Sequence, residues 1–172
     1  GQTKLIATLD NAKLYPVSVN LAFAESGDLI ALFGKDYDSS DLNSVSTFSG
    51  SGNTGYLDGD AEDAEFSNNV RNMITDASGN IYVADMENRI IRKIDPQGTV
   101  STFYQGTNWE NELNGPVGMA FDSSGNMYVA EEWNNRISKI DTQGNLTRFA
   151  NQDGQYGNNN GSMLEVRFEG MK

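Results

Sequence analysis

The stretch Met119-Ala120-Phe121-Asp122-Ser123-Ser124-Gly125-Asn126-Met127-Tyr128-Val129-Ala130-Glu131 decides the reading of this chain, because its pattern occurs in two further places. Met73-Ile74-Thr75-Asp76-Ala77-Ser78-Gly79-Asn80-Ile81-Tyr82-Val83-Ala84-Asp85 is a close copy, and Leu21-Ala22-Phe23-Ala24-Glu25-Ser26-Gly27-Asp28-Leu29-Ile30 is a looser one. The turn glycines Gly27, Gly79 and Gly125 stand 52 and then 46 residues apart. Self-similarity at such a period marks a chain assembled from repeated supersecondary units. In the last two copies the match continues, with Asn88-Arg89-Ile90 set against Asn135-Arg136-Ile137 and Ile94-Asp95 against Ile140-Asp141.

Each copy reads as four short strands. Ser-Gly-Asn or Ser-Gly-Asp places a residue able to take positive φ between two apolar runs, which is a hairpin signal, so strands one and two are antiparallel. A third strand, Arg89 to Ile94 or Arg136 to Ile140, ends in Asp95-Pro96-Gln97-Gly98 or Asp141-Thr142-Gln143-Gly144. The fourth is Val100 to Phe103 or Leu146 to Phe149. In the first copy only Val45-Ser46-Thr47-Phe48 stands out as a fourth strand, and the third is degenerate around Lys35 to Asn43. Phe66, Ile81, Val83, Phe103, Phe121, Met127, Val129 and Phe149 are expected to be buried between units.

Four antiparallel strands per unit and a period in the forties describe the blades of an all-β propeller. The phrases "G-N-I/M-Y-V-A-D/E", "N-R-I" and "K-I-D" resemble the NHL repeat, from about Val17 onward. Gly55-Tyr56-Leu57-Asp58-Gly59-Asp60-Ala61-Glu62-Asp63-Ala64-Glu65-Phe66 is similar to the connector of bacterial surface NHL proteins. A worn copy follows at Asn160-Gly161-Ser162-Met163-Leu164-Glu165-Val166-Arg167-Phe168, with the Gly-to-Phe interval kept. Residues 1–172 then form one partial propeller of three to three and a half blades, at about 17–50, 69–106 and 115–150, with connectors 51–68, 107–114 and 151–172. The resemblance implies a full ring of about six. An open ring is expected to expose strand edges, and Leu146 to Phe149 carries a single charge, Arg148, so self-association or neighbouring chains are expected at those edges.

Composition narrows the chemistry. Acidic residues outnumber basic ones 24 to 12, for a net charge of −12, which disfavours a phosphate backbone as partner. Cysteine and histidine are both absent, so disulfides, thiolate nucleophiles, imidazole bases and His-ligated metals cannot be built from these residues. No apolar run is long enough to span a bilayer.

In four-stranded blades the links from strand two to three and from strand four to the next blade open on one rim. Here that rim carries the loops Asp85 to Asn88 and Glu131 to Asn135 and the connectors Ser49 to Asn69 and Tyr104 to Gly115. The opposite rim has only tight turns, so ligand contacts are expected on the loop-rich side. The candidate binding residues are Trp133, Trp109, Tyr56, Tyr104, Glu132 and Asn134, against the alternative that each ring packs down on its own connector. An extra residue in the Trp133 loop is expected to push that ring outward. Asp58, Asp60, Glu62 and Asp63 offer oxygens for calcium but miss the EF-hand spacing, so a solvated turn is favoured over a cation site. Asp85 with Arg89, and Glu131 with Arg136, are read as equivalent structural clasps.

The sequence thus points to a non-enzymatic module that binds protein or glycan, secreted, periplasmic or at a bacterial surface. It has no expected cofactor beyond a possible calcium and no nucleic-acid partner. The alternative is a calcium-dependent propeller hydrolase or lyase completed by further blades.

Overall fold

The computed structural model describes residues 47–106, 112–163, 165–168 and 170, together with the strand backbones at 5–6, 19–23 and 29–33. Twelve strands among them form three separate four-stranded sheets. The second blade runs β5 (Val70–Thr75), β6 (Ile81–Asp85), β7 (Ile90–Ile94) and β8 (Val100–Tyr104), in that spatial order and antiparallel throughout. The third repeats it with β9 (Pro116–Phe121), β10 (Met127–Glu131), β11 (Arg136–Ile140) and β12 (Leu146–Ala150). No described residue is helical. The all-β, partial-propeller expectation holds.

The first blade departs from the meander. Its β2 (Val19–Phe23) and β3 (Leu29–Phe33) are antiparallel as expected, with Phe23 opposite Leu29, while the Gly27 turn between them lies outside the described residues. The third place in the sheet is taken by β1 (Leu5–Ile6), which runs parallel to β3 and antiparallel to β4 (Thr47–Ser49). Residues near the beginning of the sequence therefore fill the slot for which Lys35 to Asn43, also outside the described residues, has no good strand sequence.

The tight turns are organised by an aspartate that precedes each glycine. Asp76 accepts hydrogen bonds from the backbone N–H of Ser78 and of Asn80 and from the Asn80 side chain. Asp122 does the same for Ser124 and Asn126. Asp95 and Asp141 hold the β7–β8 and β11–β12 turns in the same way. Such side-chain mimicry of a backbone turn fixes the reversal and leaves the third turn residue at positive φ, where Gly79 and Gly125 both lie at +83°.

Blades pack face to face. The face of the second blade that carries Val83, Ile94, Val100 and Met73 is covered by Phe66 and Ala64 of the preceding connector and by Phe48. Its other face, with Tyr82, Ala84, Ile91 and Tyr104, meets Met127, Val129 and Ile140 of the third blade. Phe66, Val83, Met127 and Val129 are buried as expected, and Ile81, Phe121 and Phe149 are half-buried. Phe103 is a correction: it is 37% exposed, because β8 is the outer strand of its blade and the ring only flanks Tyr82 edge-on.

This packing also changes what an open ring exposes. Each described sheet has its own four strands and its own two edges, whether or not the ring closes. A missing neighbour leaves a sheet face uncovered rather than a row of unpaired backbone groups.

Candidate functional site

The loops that follow the second strand of the second and third blades meet the described parts of the connectors before them. Asn88 donates to the Gly55 carbonyl, Glu132 N–H donates to the Gly115 carbonyl, and Tyr56 donates through its hydroxyl to Gln105 at 2.7 Å. These contacts join elements that the sequence reading placed on the loop-rich side.

The loop carrying Trp133 has no extra residue. Asn88 donates to Asp85 at 2.9 Å and Asn134 donates to Glu131 at 2.8 Å, and Arg89 and Asn135 share the left-handed conformation with φ of 59° and 47°. Asn134 therefore matches Asn88, Asn135 matches Arg89, and Arg136 matches Ile90. Trp133 is 44% exposed because it sits at the turn apex, the place of exposed Glu87 in the blade before.

The clasps are correspondingly re-assigned. Glu131, fully buried, takes Arg136 Nε at 2.8 Å as expected, and also accepts from Asn114 N–H, Asn134 and the Ser138 hydroxyl. Asp85 pairs with Arg92, at 3.6 Å, and not with Arg89. Burial raises the Asp85 carboxyl above its ordinary value, opposed by hydrogen bonds from Ser67 and Asn88 and by the Arg92 charge. Both carboxylates pin a connector to the blade that follows it, through Ser67 N–H in one case and Asn114 N–H in the other.

Arg89 is thereby released to the surface. Its guanidinium bonds Glu112 at 3.0 Å and lies 5.5 Å from the centre of the Trp133 ring. Below that ring is Gly115, at φ +68°, where an added Cβ would meet Trp133 at 2.8 Å. The rim thus presents a half-exposed indole seated on glycine, flanked by a guanidinium and carboxylates. Such a group can stack on an apolar ligand face and hydrogen-bond its hydroxyl or amide edges.

The other candidates divide. Glu132 lies beside Trp133 with its backbone tied to Gly115, and Tyr56, 49% exposed, stands at the first connector. Asn134 is spent on Glu131 and Asn114 and acts as a tie. Tyr104 is corrected: it is 7% exposed within the core between the second and third blades, and burial together with the Glu131 charge pushes its hydroxyl up to about 12. Trp109 lies outside the described residues.

Asp58 is engaged by protein. It accepts from Arg92 at 2.6 Å and from the Thr102 N–H at 2.9 Å. Asp60 caps one turn through its carbonyl, while Glu62 and Asp63 face solvent. Among the described residues no group of three acidic side chains could hold a metal ion. No described helix is long and apolar enough to cross a membrane. Equal spacing from Gly79 to Ile94 and from Gly125 to Ile140 was the signal that would have aligned Arg89 with Asn135 and Arg92 with Ser138; Glu112 has no such marker.

Comparison with known proteins agrees with this architecture. Residues 113–140 match the NHL repeat. No curated protein matches the chain. An auxiliary nutrient binding protein from Bacteroides thetaiotaomicron is similar in structure, with TM-score 0.54 and 22% identity over 70% of this chain and 36% of that one. A protein of unknown function from the same species gives TM-score 0.52 and 23% identity over 57% of this chain and 28% of that one. A virginiamycin B lyase from Staphylococcus aureus overlaps at TM-score 0.39, with 15% identity over 46% and 26% of the two chains. The chain thus spans well under half the length of these solved structures, and it carries an NHL repeat within a partial β-propeller.

Proposed function

We propose that this chain is part of a non-enzymatic binding propeller that takes up glycan on its loop-rich rim and works outside the cell or at its surface. The observation that carries the reading is Trp133, seated on Gly115 with Arg89 beside its ring and Glu112 paired to that arginine. The half-exposed indole offers an apolar face with a polar N–H edge, and the polar groups around it suit hydroxyl recognition. The nutrient-binding name of one propeller of like fold supports a binding role. A protein ligand would use the same residues as an aromatic anchor.

The test is a titration of the purified chain with defined oligosaccharides, maltoheptaose, xylohexaose and mannohexaose, followed by tryptophan fluorescence. At least one sugar should give a saturable change that Trp133→Ala abolishes with the far-ultraviolet circular dichroism unaltered. A saturable response that survives Trp133→Ala would place binding elsewhere, and no response to any sugar would overturn the glycan assignment.

A further inference from the structure

Two stretches with little shared sequence fold alike. Residues 54–66 lie between the first and second blades, and residues 156–163 and 165–168 follow the third. In each, an isolated parallel bridge closes the segment, Thr54 to Phe66 and Tyr156 to Phe168. Gly55 N–H donates to Phe66 O at 2.9 Å and Gly157 N–H to Phe168 O at 3.2 Å. Glu65 N–H donates to Leu57 O and Arg167 N–H to Asn159 O, at 3.0 and 3.1 Å. Ala64 N–H reaches Asp60 O, and Val166 N–H reaches Ser162 O. Phe168 thus stands for Phe66, Val166 for Ala64, Asn159 for Leu57 and Asn160 for Asp58.

What differs is occupancy. In the first segment Ala64 and Phe66 are buried against the second blade, and fully buried Arg92 on β7 reaches back into it. That guanidinium donates to Leu57 O at 2.7 Å and to Asp58 at 2.6 Å, and lies 5.1 Å from the Phe66 ring centre. In the second segment Val166 and Phe168 are half-exposed. The neighbouring sheet face shows the same contrast. Tyr82, Ala84 and Ile91 are buried beneath the third blade, while Tyr128, Ala130 and Ile137, at the matching places, are half-exposed. Tyr82 is flanked by Phe103 of its own blade and Phe121 of the next; Tyr128 has Phe149 of its own blade.

The connector type goes with the residue that it receives. The third blade follows a connector, Gln105 to Gly115, whose sequence contains no Gly-to-Phe pattern, and its β11 carries Ser138 at the place of Arg92, bonded to Glu131. A buried guanidinium requires acceptors: Arg92 takes Glu65 O, Leu57 O and Asp58 from the first kind of connector, whereas in the third blade the buried guanidinium is Arg136, which takes Glu112 O and Glu131.

We propose that residues 156–163 and 165–168 and the outward face of β10 and β11 form a docking template for a further blade of this repeat, joined in line after Phe168, whose third strand carries an arginine directed back at Asn159 and Asn160. The joint follows the internal one, where Phe66 leads within four residues to Val70 at the start of β5. The occupant is a blade of the second type rather than a second copy of this chain, because Arg92 is already enclosed in its own blade pair.

The experiment compares the 172-residue chain with a tandem in which residues 67–106 are repeated directly after Phe168. Tyrosine nitration by tetranitromethane, mapped by mass spectrometry, reads the face. In the 172-residue chain Tyr128 should react much faster than Tyr82; in the tandem its rate should fall to that of Tyr82. Arg92→Met in the appended copy alone should restore the fast rate. In case that change only unfolds the added blade, Asn160→Asp gives a second reading: it should raise the melting temperature of the tandem, by completing an Asp58–Arg92 pair, and leave that of the 172-residue chain unraised. Unchanged nitration of Tyr128 in the tandem would overturn the proposal. So would protection that survives Arg92→Met, or a 172-residue chain that dimerises with Tyr128 already protected.

Discussion

Ile91 and Ile137 occupy the same place in consecutive blades, yet the first is fully buried and the second is half-exposed. The same holds for Tyr82 against Tyr128 and for Ala84 against Ala130. Sequence alike in type and strands alike in register give different burial, because in this fold a blade is stabilised by its neighbours as much as by its own pairing. The second blade is clamped on both faces, while the third is covered on one. The two blades also solve their buried charge differently. The second anchors Arg92 between Asp85 and the connector carbonyls, whereas the third places Glu131 among Arg136, Ser138, Asn134 and a backbone N–H.

The largest effect should come from breaking that anchor. Arg92→Met leaves Asp85 buried without its counter-charge and releases the connector, and should cost about 3–5 kcal/mol in chemical denaturation. Ser138→Ala, at the matching place, removes one of several donors to Glu131 and should cost about 1 kcal/mol. Equal losses would show that the two blades do not differ in the way described.

Apolar truncation comes next. Ile91→Ala should cost about 2–5 kcal/mol, in the range of buried large-to-small changes, and Ile137→Ala about 1 kcal/mol. A thermal or denaturant melt of each variant measures the ratio, and a reversed order would contradict the open face.

The turns that both blades share should respond to acid together. The Asp122 carboxyl is held below its ordinary value of 3.8, chiefly by the Asn126 side chain, and Asp141 likewise by Asn145. Burial opposes the shift at Asp76, but Asn80, Ser78 and Tyr82 outweigh it. A carboxyl whose folded value is depressed stabilises the fold above its unfolded value, and that contribution disappears as pH falls through the folded value. Melting temperature should therefore drop as pH falls from about 4 downward, and Asp122→Asn should make the drop shallower. Asp85 acts in the opposite sense: its raised value makes ionisation unfavourable, so acidification through that value relieves a cost. A variant series with the same acid limb throughout would remove the turn aspartates from the account.

Much of this was legible in the residues. The repeated apolar-turn-apolar phrase yields the hairpins at Gly79 and Gly125 and the four-strand order of the second and third blades, because alternation and turn chemistry are local properties. The third strand of the first blade was not legible, since Leu5–Ile6 pairs with β3 in parallel across a long stretch of sequence and has no local marker. The Asn-Arg-Ile resemblance drew Arg89 onto Arg136, and with them the wrong clasp, although the loops contain the same number of residues. Exposure at Phe103 and burial at Tyr104 were also misjudged, because a β-bulge between Ile91 and Arg92 shifts the end of β8 relative to its partner. Trp133 was singled out on the expectation of an extra loop residue that the loop does not contain, and its exposure comes from the turn apex instead; the contacts that bring Arg89 and Glu112 to that rim join separate elements and have no local pattern.

Hydroxyl-radical footprinting of the native chain, read residue by residue at Tyr82, Ile91, Tyr128 and Ile137, tests the central claim most directly. Tyr128 and Ile137 should oxidise readily while Tyr82 and Ile91 stay protected, in proportion to one open and one closed blade face. Equal protection of all four would contradict it, since the third blade would then be covered on both sides as the second is.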